Sequence, residues 1–435
     1  MEKNNFRKIA TITLFESAVQ WYCFLLYGTA AGTVFHKVFF SQTGNGTTAL
    51  ILSYMSFAIG YIAGPFGAIF FGHIGDRKGR KVTMYASLLM MGISTSIIGI
   101  LPPAASAGVG VVIVLQLMRL AQCFGRGGTW GGGILMAYEN VPENKRSFYA
   151  AIPQIGLPIG FGLSSILIAV PTLLLPEDIF FTWGWRIPFL AAIILTVIVI
   201  RQKGEMMETE DYKKAQAKLE AEEAEGKKHK VGFIPMVKGY WKTLLLGCGT
   251  RWVDGTFYNI FIVWILSYCI NWLGMPLIQT YIITIIACIF KIPFTLFGGW
   301  CAQKLGNTRT FVIGALASAV LSIPTLKVIE LSKGNLAITI IGIVLGWSIA
   351  YNLIWAVISS LWSSYFETEV RYSGISFVYH VPSFLVAGMV PTICTLLINY
   401  GKGDTIYVGI YSTVVALISA ACAVALKARH DRGEK

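Results

Sequence analysis

Apolar residues in this chain fall in long uninterrupted blocks of about twenty, not in stripes or alternations. About 20 consecutive apolar residues is what a helix needs to cross a bilayer core. A membrane span must satisfy its own backbone polar groups, so continuous blocks of this kind predict spanning helices. The blocks lie near 9–35, 48–72, 82–102, 108–139, 147–172 and 184–201. After a polar stretch they resume near 241–270, 276–302, 309–329, 336–360, 372–398 and 405–427. The expected fold is therefore an all-α polytopic membrane protein with twelve transmembrane helices.

The polar connections give an orientation. Arg77, Lys78, Arg80 and Lys81 follow the second block, and Lys145 and Arg146 follow the fourth. Lys304, Arg309 and Arg371 mark the eighth and tenth junctions, and both termini are basic. The alternate connections at 103–107 and 271–275 carry no charge. Basic residues stay on the cytoplasmic side, so both termini and the central loop are expected in the cytoplasm of a cell with a cytoplasmic (inner) membrane. The first block is long and lacks a small-residue cleavage site, so no cleavable signal is expected.

Residues 202–240 are rich in Lys, Glu and Ala without an apolar stripe, as in EDYKKAQAKLEAEEAEGKKHK. They read as a charged cytoplasmic linker. It separates a six-helix bundle at 1–201 from a second at 241–427, and 428–435 reads as a tail. Gly72-His-Ile-Gly-Asp76-Arg77-Lys-Gly79-Arg80 after helix two has a faded echo in Gly299-Trp-Cys-Ala-Gln303-Lys304-Leu-Gly306 after helix eight. Pro142-Glu-Asn-Lys-Arg146-Ser and Glu367-Thr-Glu-Val-Arg371-Tyr-Ser-Gly repeat at nearly the same offset. Parallel six-helix repeats place a ligand site between two halves, near the bilayer midplane.

Composition excludes several classes. Of 435 residues 55% are hydrophobic and 13% charged, against about a quarter charged in soluble domains. The basic residues behind the net charge of +13 cluster in the loops, so it speaks for membrane orientation and not for nucleic acid. The eight cysteines lie in apolar blocks without a CxxC and read as buried free thiols. There is no metal-ligating constellation, nucleotide loop or activated nucleophile, so neither a cofactor nor enzymatic activity is expected.

Ionisable residues inside spans are expensive, and their default reading is functional. Arg119, Gln122, Arg126 and Thr129 fall within an arc of about 80° on helix four. Two guanidiniums on one face suit a carboxylate, which their planar forks grip bidentately. Arg119 alternatively holds a structural network. Glu16, Gln20 and Cys23 share a face of helix one, with Tyr27 further along. Arg251 and Asp254 lie three apart on helix seven, where they either form a neutral structural pair or separate and leave Asp254 to accept a proton. Lys291 is far from both ends of helix eight, and His380 on helix eleven is either a titrating group or a hydrogen-bonded core histidine. Gly125, Gly127, Gly128, Gly131, Gly132 and Gly133 form a close-packing face, and Pro153, Pro158, Pro293 and Pro382 mark kinks.

The segment from Gly72 to Lys81 closely resembles the signature loop of the major facilitator superfamily. Trp21 to Gly28, Met91 to Pro102, Arg119 to Gly132, Trp183 to Phe189 and Arg371 to Gly374 further resemble its metabolite–proton symporter branch, which includes bacterial shikimate, α-ketoglutarate, citrate and proline/betaine transporters. The resemblance implies proton-coupled secondary transport of a small organic acid or carboxylate-bearing zwitterion by alternating access. The substrate contacts expected on this reading are Arg119, Arg126, Gln122, Gln20, Tyr27, Lys291 and Asn352, with Asp254, Glu16 and His380 as the remaining candidates for proton carriage; Arg126, Lys291 and His380 stand where such relatives mostly carry uncharged residues. The resemblance also implies a conformational latch of Gly72, Asp76, Arg77, Gly79, Arg80, Glu139, Arg146 and Arg371, the glycines making the turn between helices two and three. The departures are three membrane acids, replaced here by Gln20, Cys23 and Thr129. Their loss leaves open a uniporter or anion exchanger on the same fold, and a non-transporting metabolite sensor signalling through 202–240 is a third alternative. The expected partners are an anionic small molecule, a proton and the bilayer. One chain holds both halves, so a monomer is expected.

Overall fold

The computed structural model describes residues 3–42, 45–78, 80–139, 141, 145–202, 233–367 and 370–434, with side chains omitted at 3–10, 12, 72–73, 75–78, 80–81, 130–139, 202 and 233–236. Twelve helical runs follow in order: α1 Lys3–Thr33, α2 Gly46–Lys78, α3 Arg80–Ile100 and α4 Gly110–Glu139. Next come α5 Arg146–Leu174, α6 Glu177–Arg201, α7 Val237–Asn271, α8 Leu277–Leu305, α9 Asn307–Leu331 and α10 Leu336–Tyr365. The last two are α11, residues 371–400, and α12, Ile406–Asp431. Among the described residues there is no strand, and nine helices are long and apolar enough to cross a membrane. Of the other three, α4 carries Arg119 and Arg126, and α11 is interrupted before a shorter apolar helix, Val390–Tyr400.

The packing is two-fold in pattern. In the first six helices α2 and α3 pack on α4, α1 on α5, and α3 on α6. In the second six α8 and α9 pack on α10, α7 on α11, and α9 on α12. Across the two sets, α5 meets α8 and α2 meets α11. These are equivalent pairs under the same repeat, as expected of duplicated bundles joined face to face. Phe66, Ile100, Leu174, Val320 and Leu385 are well exposed on the outside, which is a lipid-facing surface and not a soluble one.

Small residues set the closest approach. A Cβ on Gly67 would fall on the backbone of Phe124, and one on Gly127 on the backbone of Gly64 and Ala68. Only glycines let α2 and α4 meet this tightly. The turn between helices two and three does not fall at Gly72. Gly72 is still helical, because α2 runs on to Lys78, and α3 begins at Arg80. The second copy does turn at its glycine: Gly306, at φ +88°, separates α8 from α9. Likewise α12 continues to Asp431, into the stretch read as a tail.

Wide helical turns interrupt the inner helices. Pro382 precedes one at Phe384–Gly388 in α11, where Met389 N–H reaches back five residues to Phe384 O at 3.0 Å. Others lie at Ile260–Trp264 in α7 and Val344–Ala350 in α10. Such turns concentrate at functional sites. Pro153 likewise converts α5 to a tighter 3-10 turn, whereas α8 runs through Pro293 unbroken.

Candidate functional site

The polar residues foreseen inside spans converge where α1, α2 and α4 of the first set face α7, α8, α10 and α11 of the second. Arg119, Arg126, Arg251, Asp254, Lys291 and His380 are all buried, none more than 4% exposed.

Arg119 and Gln122 face each other as the helical arc requires, and Arg119 Nη1 donates to Gln122 Oε1. The Gln122 amide spans to α1 and α3, giving its N–H groups to Cys23 O at 2.9 Å and Thr95 Oγ1 at 2.7 Å. The Arg119 guanidinium lies 4.5 Å from the Phe24 ring centre, 4.4 Å from Tyr27 and 4.6 Å from Phe57. Its Nε and Nη2 have no hydrogen-bond acceptor among the described residues. Aromatic faces offset part of the cost of burying a guanidinium. They do not satisfy its N–H groups, which keep the full cost of lost solvation.

Two turns along, Arg126 is ringed by Trp21, Phe24 and Tyr379 at 4.8, 3.8 and 5.2 Å. Its Nη2 donates to the Tyr379 hydroxyl, crossing from α4 to α11. The face of the Tyr379 ring carries Arg251 at 4.4 Å. Arg251 in turn is ion-paired to Asp254. Asp254 also accepts from the Tyr351 hydroxyl. The pair expected from their spacing is thus formed, with Tyr351 as a third member.

Lys291 closes the chain. Its ammonium is 4.4 Å from the Tyr351 ring centre and 4.6 Å from Trp347. It donates to Asn352 Oδ1 at 3.1 Å and Trp347 O at 3.4 Å. Asn352 is itself fixed by Thr295 and by Lys291 O. Arg119 and Arg126 thus share the Phe24 ring, Tyr379 and Tyr351 carry the line on to Lys291, and the hydrogen bonds of Arg119, Arg126 and Lys291 among the described residues go to neutral acceptors.

Other candidates sit around this line. Tyr27 hydrogen-bonds Ser56 at 2.9 Å. Gln20 is buried, and its Nε2 is without an acceptor among the described residues. Thr129 turns back to Arg126 O at 3.1 Å and adds nothing to the basic face. Glu16 is buried a turn below Gln20. His380 packs on Gly64 of α2, its ring against Tyr379, and its Nε2 has no partner among the described residues. The alternative of a hydrogen-bonded core histidine therefore finds no support at that nitrogen.

Contacts close the site at both ends. Toward the end that holds the termini, Gln154 on α5 and Trp355 on α10 exchange bonds of 3.1 and 2.9 Å, while Trp21 lies edge-on to Trp355 at 5.4 Å. At the other end Tyr54 of α2 donates to Ser267 of α7 at 2.6 Å, and Tyr281 of α8 to Thr33 of α1 at 3.3 Å. Beyond Tyr54 a cavity of about 780 Å³ opens to solvent, lined among others by His36, Lys37, Trp264, Ser267, Trp272 and Asn399. Burial, with the neighbouring Lys37 charge, holds the His36 imidazole at a pKa of about 4, so it is neutral there near pH 7.

Of the latch, Gly79 and the side chains of Asp76, Arg77, Arg80 and Glu139, like the 203–232 stretch of the linker, lie outside the described residues. Arg146 is half-buried at the start of α5. Arg371 Nε donates to Ser363 O at 2.9 Å and Phe366 O at 3.2 Å, clamping the α10–α11 turn. Tyr379, Tyr351 and the Gln154–Trp355 pair were not anticipated. Tyr379 and Tyr351 each adjoin a residue that was, but an aromatic in an apolar block carries no separate signal.

The chain belongs to the Major Facilitator Superfamily, whose family model matches residues 36–391. It is 33% identical to an inner membrane metabolite transport protein of Escherichia coli, over 95% of this chain and 92% of that one. It is 31% identical to the Escherichia coli shikimate transporter, over 97% and 94%. Among solved structures it resembles the Escherichia coli xylose transporter, seen partially occluded and inward open, with a TM-score of 0.72 at 15% identity, covering 96% of each chain. It is thus a multi-pass membrane protein of a transporter family, and its relatives are transporters, not enzymes.

Proposed function

We propose that this chain is a secondary active transporter that carries a small organic acid, or a carboxylate-bearing zwitterion, across the cytoplasmic membrane by alternating access with proton symport. The observation that carries this reading is the Arg119–Arg126 face. Two buried guanidiniums retain N–H groups without acceptors among the described residues, and a carboxylate supplies the missing acceptors bidentately. The shikimate and proline/betaine transporters, by their names, carry molecules of this class. Gln20, Gln122, Tyr27, Lys291 and Asn352 complete the pocket. The halves 1–201 and 241–427 rock about it, opening first toward the 780 Å³ vestibule and then toward the termini, which face the cytoplasm. The working unit is one chain.

Coupling runs through Asp254. Substrate binding that separates Arg251 from Asp254 leaves Asp254 buried without its counter-charge. Such a charge is costly, and taking up a proton removes the cost. Substrate and proton then cross together. A second reading, anion exchange without proton coupling, draws support from the completeness of the Arg251–Asp254–Tyr351 cluster and from Gln20, Cys23 and Thr129 standing where the family resemblance leads one to expect acids.

Thermal unfolding of the purified protein with a panel of carboxylates and betaines tests the reading. At least one carboxylate stabilises the wild type and fails to stabilise Arg119→Gln. Equal stabilisation of both proteins removes Arg119 from the site.

A further inference from the structure

The central site holds more positive charge than its own acids answer. Among the described residues its bases are Arg119, Arg126, Arg251 and Lys291, and its acids are Asp254 and, nearer the termini, Glu16. Arg251 is matched by Asp254. Among the described residues the other three bases hydrogen-bond to neutral acceptors: Gln122 Oε1, the Tyr379 hydroxyl, and Asn352 Oδ1 with Trp347 O. If Glu16 is set wholly against one of them, two remain. Glu139 is no remedy, since thirteen residues of helix separate it from Arg126, about 20 Å. Arg186 shows what a structurally employed arginine looks like here. Its Nε and Nη1 are spent on the carbonyls of Thr182, Gly99 and Leu101.

The three bases also lie on both sides of the interface. Arg119 and Arg126 belong to α4, whereas Lys291 belongs to α8 and is held by Asn352 of α10. Tyr379, Arg251, Asp254 and Tyr351 fill the line between them. The aromatic ring set that would seat a quaternary ammonium, Trp21, Phe24, Tyr61 and Tyr379, already encloses the Arg126 guanidinium. A substrate cation would find its aromatic seat taken and bases around it.

Resting on the transport reading above, we infer that the substrate is a polycarboxylate, with one carboxylate on Arg119 and Arg126 and a second on Lys291 and Asn352. The two halves are then bridged by the substrate itself. A monocarboxylate or a betaine satisfies one half only and leaves a buried base unanswered.

The test is binding of shape-matched ligands to purified full-length protein, by calorimetry or intrinsic tryptophan fluorescence. The probes are butanoate, butanedioate, its monomethyl ester, pentanedioate, propane-1,2,3-tricarboxylate and glycine betaine. The expected result is that a di- or tricarboxylate binds at least about tenfold more tightly than its singly charged counterpart. Lys291→Gln then lowers affinity for the doubly charged ligand toward that of the monoester, removing most of the preference between the two. Lys291→Arg, which keeps the charge, retains part of the preference. Binding of butanoate, the monoester or betaine as tight as that of the dicarboxylates overturns the inference and leaves the carboxylate-transport reading standing. Should no probe bind while the protein remains folded, both fall.

Discussion

Arg126 on α4 donates to the hydroxyl of Tyr379 on α11, and Tyr379 carries Arg251 on its ring face. One side chain thereby joins a base of the first half to the ion pair of the second at mid-membrane. Under the alternating access proposed above, opening the site breaks or re-aims that contact.

Tyr379→Phe removes the acceptor and keeps the ring. A buried N–H left without a partner costs about 1–3 kcal/mol. The expected outcome is a thermal midpoint lowered by a few degrees and a shifted balance between inward- and outward-open forms. Spin-label distances across the α5–α8 contact would report that shift. An unchanged distance distribution and midpoint would mean that the bond does not hold the closed form.

At Arg119 the charge and the fork are separable. Arg119→Lys keeps the charge and loses the planar pair of donors, so kcat/KM for a carboxylate substrate is expected to fall about 10- to 100-fold. Arg119→Gln is expected to abolish uptake. Full activity in Arg119→Lys would point to a field effect and not to bidentate contact.

Asp254→Asn discharges the Arg251 pair while preserving its shape. The expected result is loss of uphill uptake driven by a proton gradient, with exchange of labelled for unlabelled substrate retained. Retained gradient-driven accumulation would move proton carriage to Glu16 or His380.

Gly67 faces the backbone of Phe124, which has nowhere to yield. Gly67→Ala is expected to push α2 from α4 and to cost a few kcal/mol, in the range of overpacked cores, about 1–3 kcal/mol or more. Gly239→Ala, where a new methyl meets nothing within 4 Å, is the neutral control. Comparable yield and midpoint for the two variants would contradict the close-packing account.

Helix number, helix type and the basic face of α4 were all legible from the sequence, because apolar length, backbone satisfaction and the 100° step leave few alternatives. The angular grouping of Arg119, Gln122 and Arg126 and the three-residue spacing of Arg251 and Asp254 are local geometry, and local geometry carries into the fold. What joins them is not local. Tyr379 meets Arg126 across 253 residues, and Tyr351 meets Asp254 across 97. Nothing at either position distinguishes these tyrosines from their apolar neighbours. The far reach of α2 past Gly72 was missed for a different reason: its last turn is polar, and apolar length marks where the bilayer ends, not where the helix does.

The most direct test is uptake by the purified protein in liposomes, using labelled mono-, di- and tricarboxylates, with and without an inward proton gradient. The account predicts that a polycarboxylate accumulates above its external concentration only when the gradient is present, and that Arg119→Gln liposomes take up none. Failure of every carboxylate to enter, in vesicles holding folded protein, would contradict it.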